Sequence, residues 1–250
     1  MEENHSVFFD LLSKANNNIC SYKHGGFYSL MDKKNVFPKL TLCYNELLPK
    51  KQYFQEYFRA VEQKEAAPYI ILAENENLIL AEKLLKQEGF RAVESWTTMS
   101  LFTNQVNYVN STDLHILTVY RAEELQHWLS VVQQGLFNSS NLETTIFEQL
   151  LLNNKIQFII GFAGNEPACA LLAVLNESTA GLYMITTLPR FRKKGYASHL
   201  VNYALNHFAQ KGITRCVLQS TRSGYDMYKH IGFQTDGRFF IYWKIGKEYM

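Results

Sequence analysis

The chain has 250 residues, with 25 Lys plus Arg against 23 Asp plus Glu and a formal charge of +2. That balance excludes the dense basic surface on which a dedicated nucleic-acid binder relies. Hydrophobic residues at 47% and charged residues at 19% exclude a chain that stays disordered for want of apolar surface. The length is long for one typical domain and short for two.

The four cysteines, Cys20, Cys43, Cys169 and Cys216, are scattered, with no C-x-x-C and no partnered His spacing. Reduced, buried thiols are expected, and no metal site. Met1 to His5 is acidic and polar, without a basic stretch ahead of an apolar one, so no secretory signal is expected. The longest apolar run, Ala168 to Leu175, falls well short of the roughly 18 residues that a membrane span needs. The expectation is a cytoplasmic protein with no membrane and no nucleic-acid partner.

The first 60 residues are mixed in pattern. Leu47 to Gln63 carries aromatics at helical spacing (Tyr53, Phe54, Tyr57, Phe58, Val61) and predicts an amphipathic helix. Pro68 to Leu72 predicts a short strand. Leu78 to Gln87 predicts a helix stopped by Gly89, and Trp96 to Phe102 another strand. The polar stretch Asn104 to Asp113 is taken as a domain boundary, giving an N-terminal α/β domain over residues 1–110 and a second domain over 111–250.

Helical spacing returns at Arg121 to Gln134 and Leu142 to Leu152, with Asp113 and Asn141 as start signals. Gln157 to Ala163 and Ala168 to Leu175 read as a hairpin turning at Gly164 to Pro167. Leu182 to Leu188 is a third strand, closed by Pro189, which cannot donate to a ladder. A strongly periodic helix follows from Tyr196 to Ala209. Thr214 to Gln219 is a strand, Ser223 to His230 a short helix before Gly232, and Phe239 to Lys244 a last strand. An antiparallel meander thus feeds a β-α-β crossover, which is α/β layering with a mixed sheet flanked by helices.

The chemistry concentrates in Pro189-Arg190-Phe191-Arg192-Lys193-Lys194-Gly195-Tyr196-Ala197-Ser198. A strand ends, a basic glycine turn follows, and a long helix begins. Unpaired N–H groups at a helix start, together with the helix dipole, attract anions. The small Gly195 and Ala197 let a diphosphate come close to the backbone. The spacing is neither G-x-x-x-x-G-K-[ST] nor G-x-G-x-x-G, which disfavours a P-loop and a dinucleotide fingerprint. No G-x-S-x-G elbow supports a serine nucleophile.

Arg192-x-x-Gly195-x-Ala197 after a strand resembles the acyl-CoA-binding motif [QR]-x-x-G-x-[GA] of the GNAT superfamily of N-acetyltransferases. Met227-Tyr228-Lys229-His230-Ile231-Gly232-Phe233 is similar to that family's L-Y-x-[KR]-x-G-F helix end. His230 stands where Lys or Arg is common, and Thr221 and Gly224 where Asn and Ala often occur. The resemblance covers about Asp113 to Lys244. It implies a GNAT fold, with acetyl-CoA as cosubstrate and a small-molecule or peptide amine as acceptor. It also implies that the backbone of Arg192, Lys193, Lys194, Gly195, Tyr196, Ala197 and Ser198 holds the pyrophosphate. Ile185, Thr186 and Thr187 would pair with the pantetheine arm. Tyr228 would protonate the departing CoA thiolate, with direct attack by the amine. A general base does not stand out among Glu177, Tyr183, Thr186, His199 and His207. The same motifs also fit a GNAT-like module that binds acyl-CoA without transfer; the retained Tyr228 and intact turn favour the enzyme. Oligomerisation stays open.

A second likeness is internal. Leu84-Leu85-Lys86-Gln87-Glu88-Gly89-Phe90 parallels Met227 to Phe233, and an aromatic strand follows each. The first segment has no Arg-x-x-Gly-x-Ala turn and Leu85 in place of the tyrosine. It is therefore expected to be a degenerate GNAT-like unit without cofactor binding, which completes the sheet or shapes the acceptor site.

Overall fold

A computed structural model describes residues 2–34, 36–43, 51–105 and 113–244. The chain opens with helix α1 (Glu2–Ala15) and a meander of β1 (Ile19–His24), β2 (Phe27–Asp32) and β3 (Lys39–Cys43). Next come α2 (Lys51–Glu62), β4 (Tyr69–Ala73), α3 (Leu78–Gln87) and β5 (Phe90–Phe102). The expected boundary between residues 110 and 111 lies outside the described residues. Beyond it run β6 (Leu114–Val119), α4 (Ala122–Leu136) and α5 (Thr144–Leu151). A second meander follows: β7 (Ile156–Ala163), β8 (Glu166–Asn176) and β9 (Thr179–Thr187). The chain then forms α6 (Tyr196–Gln210), β10 (Arg215–Ser220), α7 (Tyr225–Ile231) and β11 (Gln234–Lys244). No helix among the described residues is long and apolar enough to cross a membrane.

Among the described residues, eleven strands form one continuous mixed sheet, ordered β1-β2-β3-β4-β11-β5-β10-β9-β8-β7-β6. The order reads the same from either end when β1 to β5 are exchanged with β7 to β11. The pairing directions agree with that exchange. Both meanders are antiparallel. β3 with β4, and β9 with β10, are parallel. The closing strands β5 and β11 lie side by side, antiparallel, each between the other set's strands. The same connectivity therefore occurs twice, interlocked at the centre, with β6 added at one edge.

Opposite residues on each strand feed opposite cores, as the period of two requires. On β11, Ile241 enters a cluster with α1, α4 and α5, while its neighbour Tyr242 enters one with α2 and α3. On β8, Ala170, Leu172 and Val174 join the first cluster, and Cys169, Leu171 and Ala173 join one built on α6 and α7. Trp128 of α4 is fully buried and donates its indole N–H to the Leu171 carbonyl at 2.9 Å. Cys43, Cys169 and Cys216 are buried and Cys20 is half-buried.

Several elements differ from the sequence expectation. The first helix and meander carry no clean pattern, because β2 is buried at all six positions, Ser29 and Asp32 included, so it shows no alternation. β6, which follows the polar stretch taken as a boundary, is a strand that the sequence pattern does not announce. β5 begins at Phe90 rather than Trp96, because its exposed residues Arg91 to Ser95 still pair with β11 through the backbone. Neither Asp113 nor Asn141 starts a helix. Glu124 closes the start of α4 by accepting the N–H of Tyr120 at 2.9 Å and of Arg121 at 3.3 Å. α5 follows Glu143 without a side-chain cap.

Candidate active site

The site begins with a fault in β9. Its register against β8 jumps from Leu172↔Tyr183 to Ala170↔Thr186, and Met184 takes the extra residue at φ +51°. Such a bulge bends a strand and increases its twist. β10 pairs with β9 only from Arg215↔Thr179 to Leu218↔Leu182. Past that point no strand pairing joins the two, so the β10-facing edge of Tyr183 to Thr187 is open to another extended backbone.

Ile185, Thr186 and Thr187 all lie on this stretch. The Thr186 side chain is buried against α4: a Cβ added to Gly135 would fall 2.3 Å from its Oγ1. The Thr187 Oγ1 is buried without a hydrogen-bond partner.

A turn of 3-10 helix at Pro189–Phe191 carries the chain to the start of α6. Lys193 and Gly195 both have left-handed backbone, at φ +62° and +79°. Glycine takes that conformation without the strain that a Cβ adds. Gly195 is the residue that precedes α6, and no side chain caps the helix there. The first-turn amides of Tyr196, Ala197 and Ser198 therefore have neither an intrahelical partner nor a side-chain one. The side chains of the motif divide the work. Arg192 turns back and donates its Nε–H to the Thr187 carbonyl at 3.0 Å, tying the turn to the end of β9. Arg190 pairs with Glu166 at 2.6 Å, so its charge is largely offset. Tyr196 is buried and donates its hydroxyl to Asp113 at 2.9 Å, a bond that pushes the phenol above its ordinary range. Lys193 and Lys194 stay exposed, with the Lys194 Nζ 5.6 Å from the Phe191 ring centre. What the turn presents is thus backbone N–H, a helix dipole and two lysines, a recipe for holding a diphosphate.

Tyr228 lies on α7, beside the C-terminal end of β10. A Cβ added to Gly224 would approach its Cε2 to 3.0 Å and the Ser220 Oγ to 3.4 Å, so the ring sits beside Ser220 and glycine leaves it room. The ring also packs edge-on against Phe233, with centroids 5.8 Å apart. Burial pushes its hydroxyl well above the usual phenol range, which keeps it protonated at neutral pH.

On the opposite face of the sheet, a cleft of about 970 Å³ opens onto the parted strands. Tyr183, Met184 and Ile185 of β9 and Gln219 and Thr221 at the end of β10 line one side. The other walls come from α1, the end of α4, β4, β5 and the residues around β3. Neither Tyr228 nor the 192–198 turn lines this cleft. α1 is held over the cleft by Asn4, which accepts the Tyr183 hydroxyl at 2.9 Å and donates to the Val174 carbonyl at 3.1 Å. His5 then points into the cleft beside Gln219, and desolvation lowers its pKa to about 4. The imidazole is therefore neutral near pH 7.

His5, Trp96 and Gln219 are cleft residues that the motifs do not reveal, since only the interlocked sheet brings them together. Of the residues weighed as bases, Glu177 is exposed in a turn, His199 is buried in α6, and His207 contacts Gln157 at 3.0 Å. Only Tyr183 among them lines the cleft along with the Met184–Ile185 bulge. Burial pushes the Cys169 and Cys216 thiols up to about 12, so neither is a thiolate nucleophile near neutral pH.

Residues 122–233 match the acetyltransferase (GNAT) family. Comparison of the sequence with curated proteins finds no match. Among solved structures, the chain is similar to a GCN5-related N-acetyltransferase from Kribbella flavida, with a TM-score of 0.72 and 13% identity over 98% of this chain and 96% of that one. It is similar to a functionally unknown conserved protein from Staphylococcus epidermidis at a TM-score of 0.66 and 12% identity, over 89% and 92% of the two chains. A GCN5-related N-acetyltransferase from Sphaerobacter thermophilus gives a TM-score of 0.60 and 13% identity, over 87% of this chain and 76% of that one. These likenesses extend the fold over nearly the whole chain. The family match places an acetyltransferase (GNAT) domain over residues 122–233 of the chain.

Proposed function

We propose that the protein transfers an acetyl group from acetyl-CoA directly to a primary amine. The observation that carries this reading is the parting of β9 from β10 beside an uncapped, glycine-led helix start. The pyrophosphate lies on the amides from Arg192 to Ser198, and Lys193 and Lys194 add charge. The pantetheine arm pairs with the open edge of Ile185 to Thr187. The thioester then reaches through the gap toward the cleft, where the amine attacks. As the tetrahedral intermediate collapses, the C–S bond breaks and the thiolate takes the Tyr228 proton, while the nitrogen gives up its extra proton to solvent, which returns one to Tyr228. A buried phenol held in its protonated form suits that role. In this reading the C-terminal unit from residue 111 onward does the chemistry. The first 110 residues are a degenerate GNAT-like unit that completes the sheet and walls the acceptor cleft.

The test is calorimetric titration with CoA and acetyl-CoA, followed by thiol release over an amine panel. Binding with release is expected. Absence of CoA binding at millimolar ligand overturns the whole reading, while binding without release for any amine leaves an acyl-CoA-binding module instead. Tyr228→Phe is expected to keep acetyl-CoA affinity and lower kcat about 10- to 1000-fold, the range of a positioned acid. Unchanged turnover in that variant removes Tyr228 from the chemistry.

A further inference from the structure

The cleft has a one-sided polar lining. Lys33, Lys39 and Lys64 border it, and no Asp or Glu lines it among the described residues. None of the three lysines is within ion-pair distance of a carboxylate among those residues. Deeper in, Trp96 lines the cleft with its indole Nε1–H buried and unpartnered, and so does Gln219 with its Nε2. Buried donors without acceptors cost free energy, and native structures satisfy nearly all of them. Two such donors on one cleft ask for an acceptor supplied by a ligand. The rest of the lining is apolar and aromatic, with Phe8, Phe9, Phe37, Tyr69 and Trp243 prominent.

Resting on the acetyltransferase reading, we infer that the acceptor amine also carries an anionic group on an apolar body, as an aromatic or aliphatic amino carboxylate does. The carboxylate accepts from the Trp96 and Gln219 donors and is drawn in by the lysines. The apolar body fills the space between the α1 phenylalanines and the sheet. A polycationic amine meets three lysines and no carboxylate among the described residues of the lining, so its entry is opposed. The same field serves the chemistry. Nearby positive charge lowers the pKa of an ammonium group, so more of the bound acceptor is the neutral nucleophile. His5, neutral in the cleft, adds no further charge to oppose it.

The experiment compares matched ligands by thiol release and by binding. Phenylalanine and phenethylamine, which differ by the carboxylate, are tested as acceptors beside spermidine. Binding is measured with the corresponding products, N-acetylphenylalanine and N-acetylphenethylamine, in the presence of CoA, which needs no turnover. The carboxylate partner is expected to bind about 10-fold tighter or more, the scale of a hydrogen bond to a charged group. Lys33→Glu with Lys39→Glu, both exposed, is expected to reverse the order with folding intact by circular dichroism. Trp96→Phe, which keeps an aromatic ring at that position and removes the N–H together with the five-membered ring, is expected to raise KM for phenylalanine with little change in kcat. Equal or tighter binding of the uncharged product, or spermidine as the fastest acceptor, overturns the inference while the transferase reading stands. A carboxylate preference in binding with no thiol release from any amine fails the transferase reading instead.

Discussion

The two interlocked halves share a connectivity and differ in what stands at matching places. After β9 comes the turn with Lys193 and Gly195 in left-handed backbone, and β9 parts from β10. In the other half β3 pairs in parallel with β4 from Thr41↔Ile70 to Cys43↔Leu72, and residues 44–50, at the place that matches the turn, lie outside the described residues. Where α7 carries Tyr228, α3 carries Leu85, which is fully buried among Phe54, Tyr57 and Phe90. One half has spent a motif position on a hydroxyl and the other on core packing. The comparison teaches that a fold of this kind keeps its sheet without its chemistry, since strand pairing depends on backbone and pattern, whereas anion binding depends on a few special residues.

The largest expected effect tests that division at the matched position. Leu85→Ala leaves a cavity in the N-terminal core and is expected to cost about 2–5 kcal/mol in denaturant unfolding. Acetyl-CoA affinity of the folded variant should stay unchanged. A comparable loss of CoA affinity would mean that the first half takes part in cofactor binding. Next in size is an acid-side effect that joins the halves. The His5 pKa falls from 6.5 unfolded to about 4 folded, so the unfolded chain takes up its proton first as pH drops. The stability conferred by neutral His5 is present above pH 6.5 and is lost on the way down to about pH 4, roughly 3 kcal/mol at the end. Unfolding midpoints from pH 7 to 4 should show this slope, and His5→Phe should flatten it. The slope that remains belongs to His199 and His207, both also held low by burial, and toward pH 4 to Asp10, Glu82 and Glu124, whose carboxyls are held low by their hydrogen-bond partners.

Gly195→Val tests the special half. It puts a branched side chain at φ +79° in the path of the diphosphate. CoA affinity should fall about 100-fold, near 3 kcal/mol, with a smaller loss in melting temperature. Retained affinity would remove this turn from the site. The smallest effect concerns the wall behind β9. Gly135→Ala places a methyl 2.3 Å from the Thr186 Oγ1, and overpacking of this kind costs about 1–3 kcal/mol. If β9 positions the cofactor arm, KM for acetyl-CoA should rise along with the loss of stability.

Much of the C-terminal half was legible because its signals are local. The 3.6-residue period of Leu200, Val201, Ala204, Leu205 and Phe208 is the buried face of α6, and Gly195 and Gly232 stand where the backbone turns left-handed. The first 43 residues resisted the same treatment. β2 is buried at every position, and α1 packs against strands that arrive much later in the chain, as with Asn4 on Val174, 170 residues on. Charge told a similar story. The basic run from Arg190 to Lys194 could be read in the sequence, but the pairing of Arg190 with Glu166 and of Arg192 with the Thr187 carbonyl could not.

The sequence by itself therefore determined the α/β class, the GNAT motifs and the place of the basic glycine turn before α6, because periodicity, turn chemistry and helix starts act over a few neighbouring residues. Tertiary structure alone decided that β11 enters between β4 and β5, and that His5, Trp96 and Gln219 face one cleft. Those groups are far apart in the chain, and only the pairing of two closing strands, each inserted into the other half, brings them within reach of one substrate.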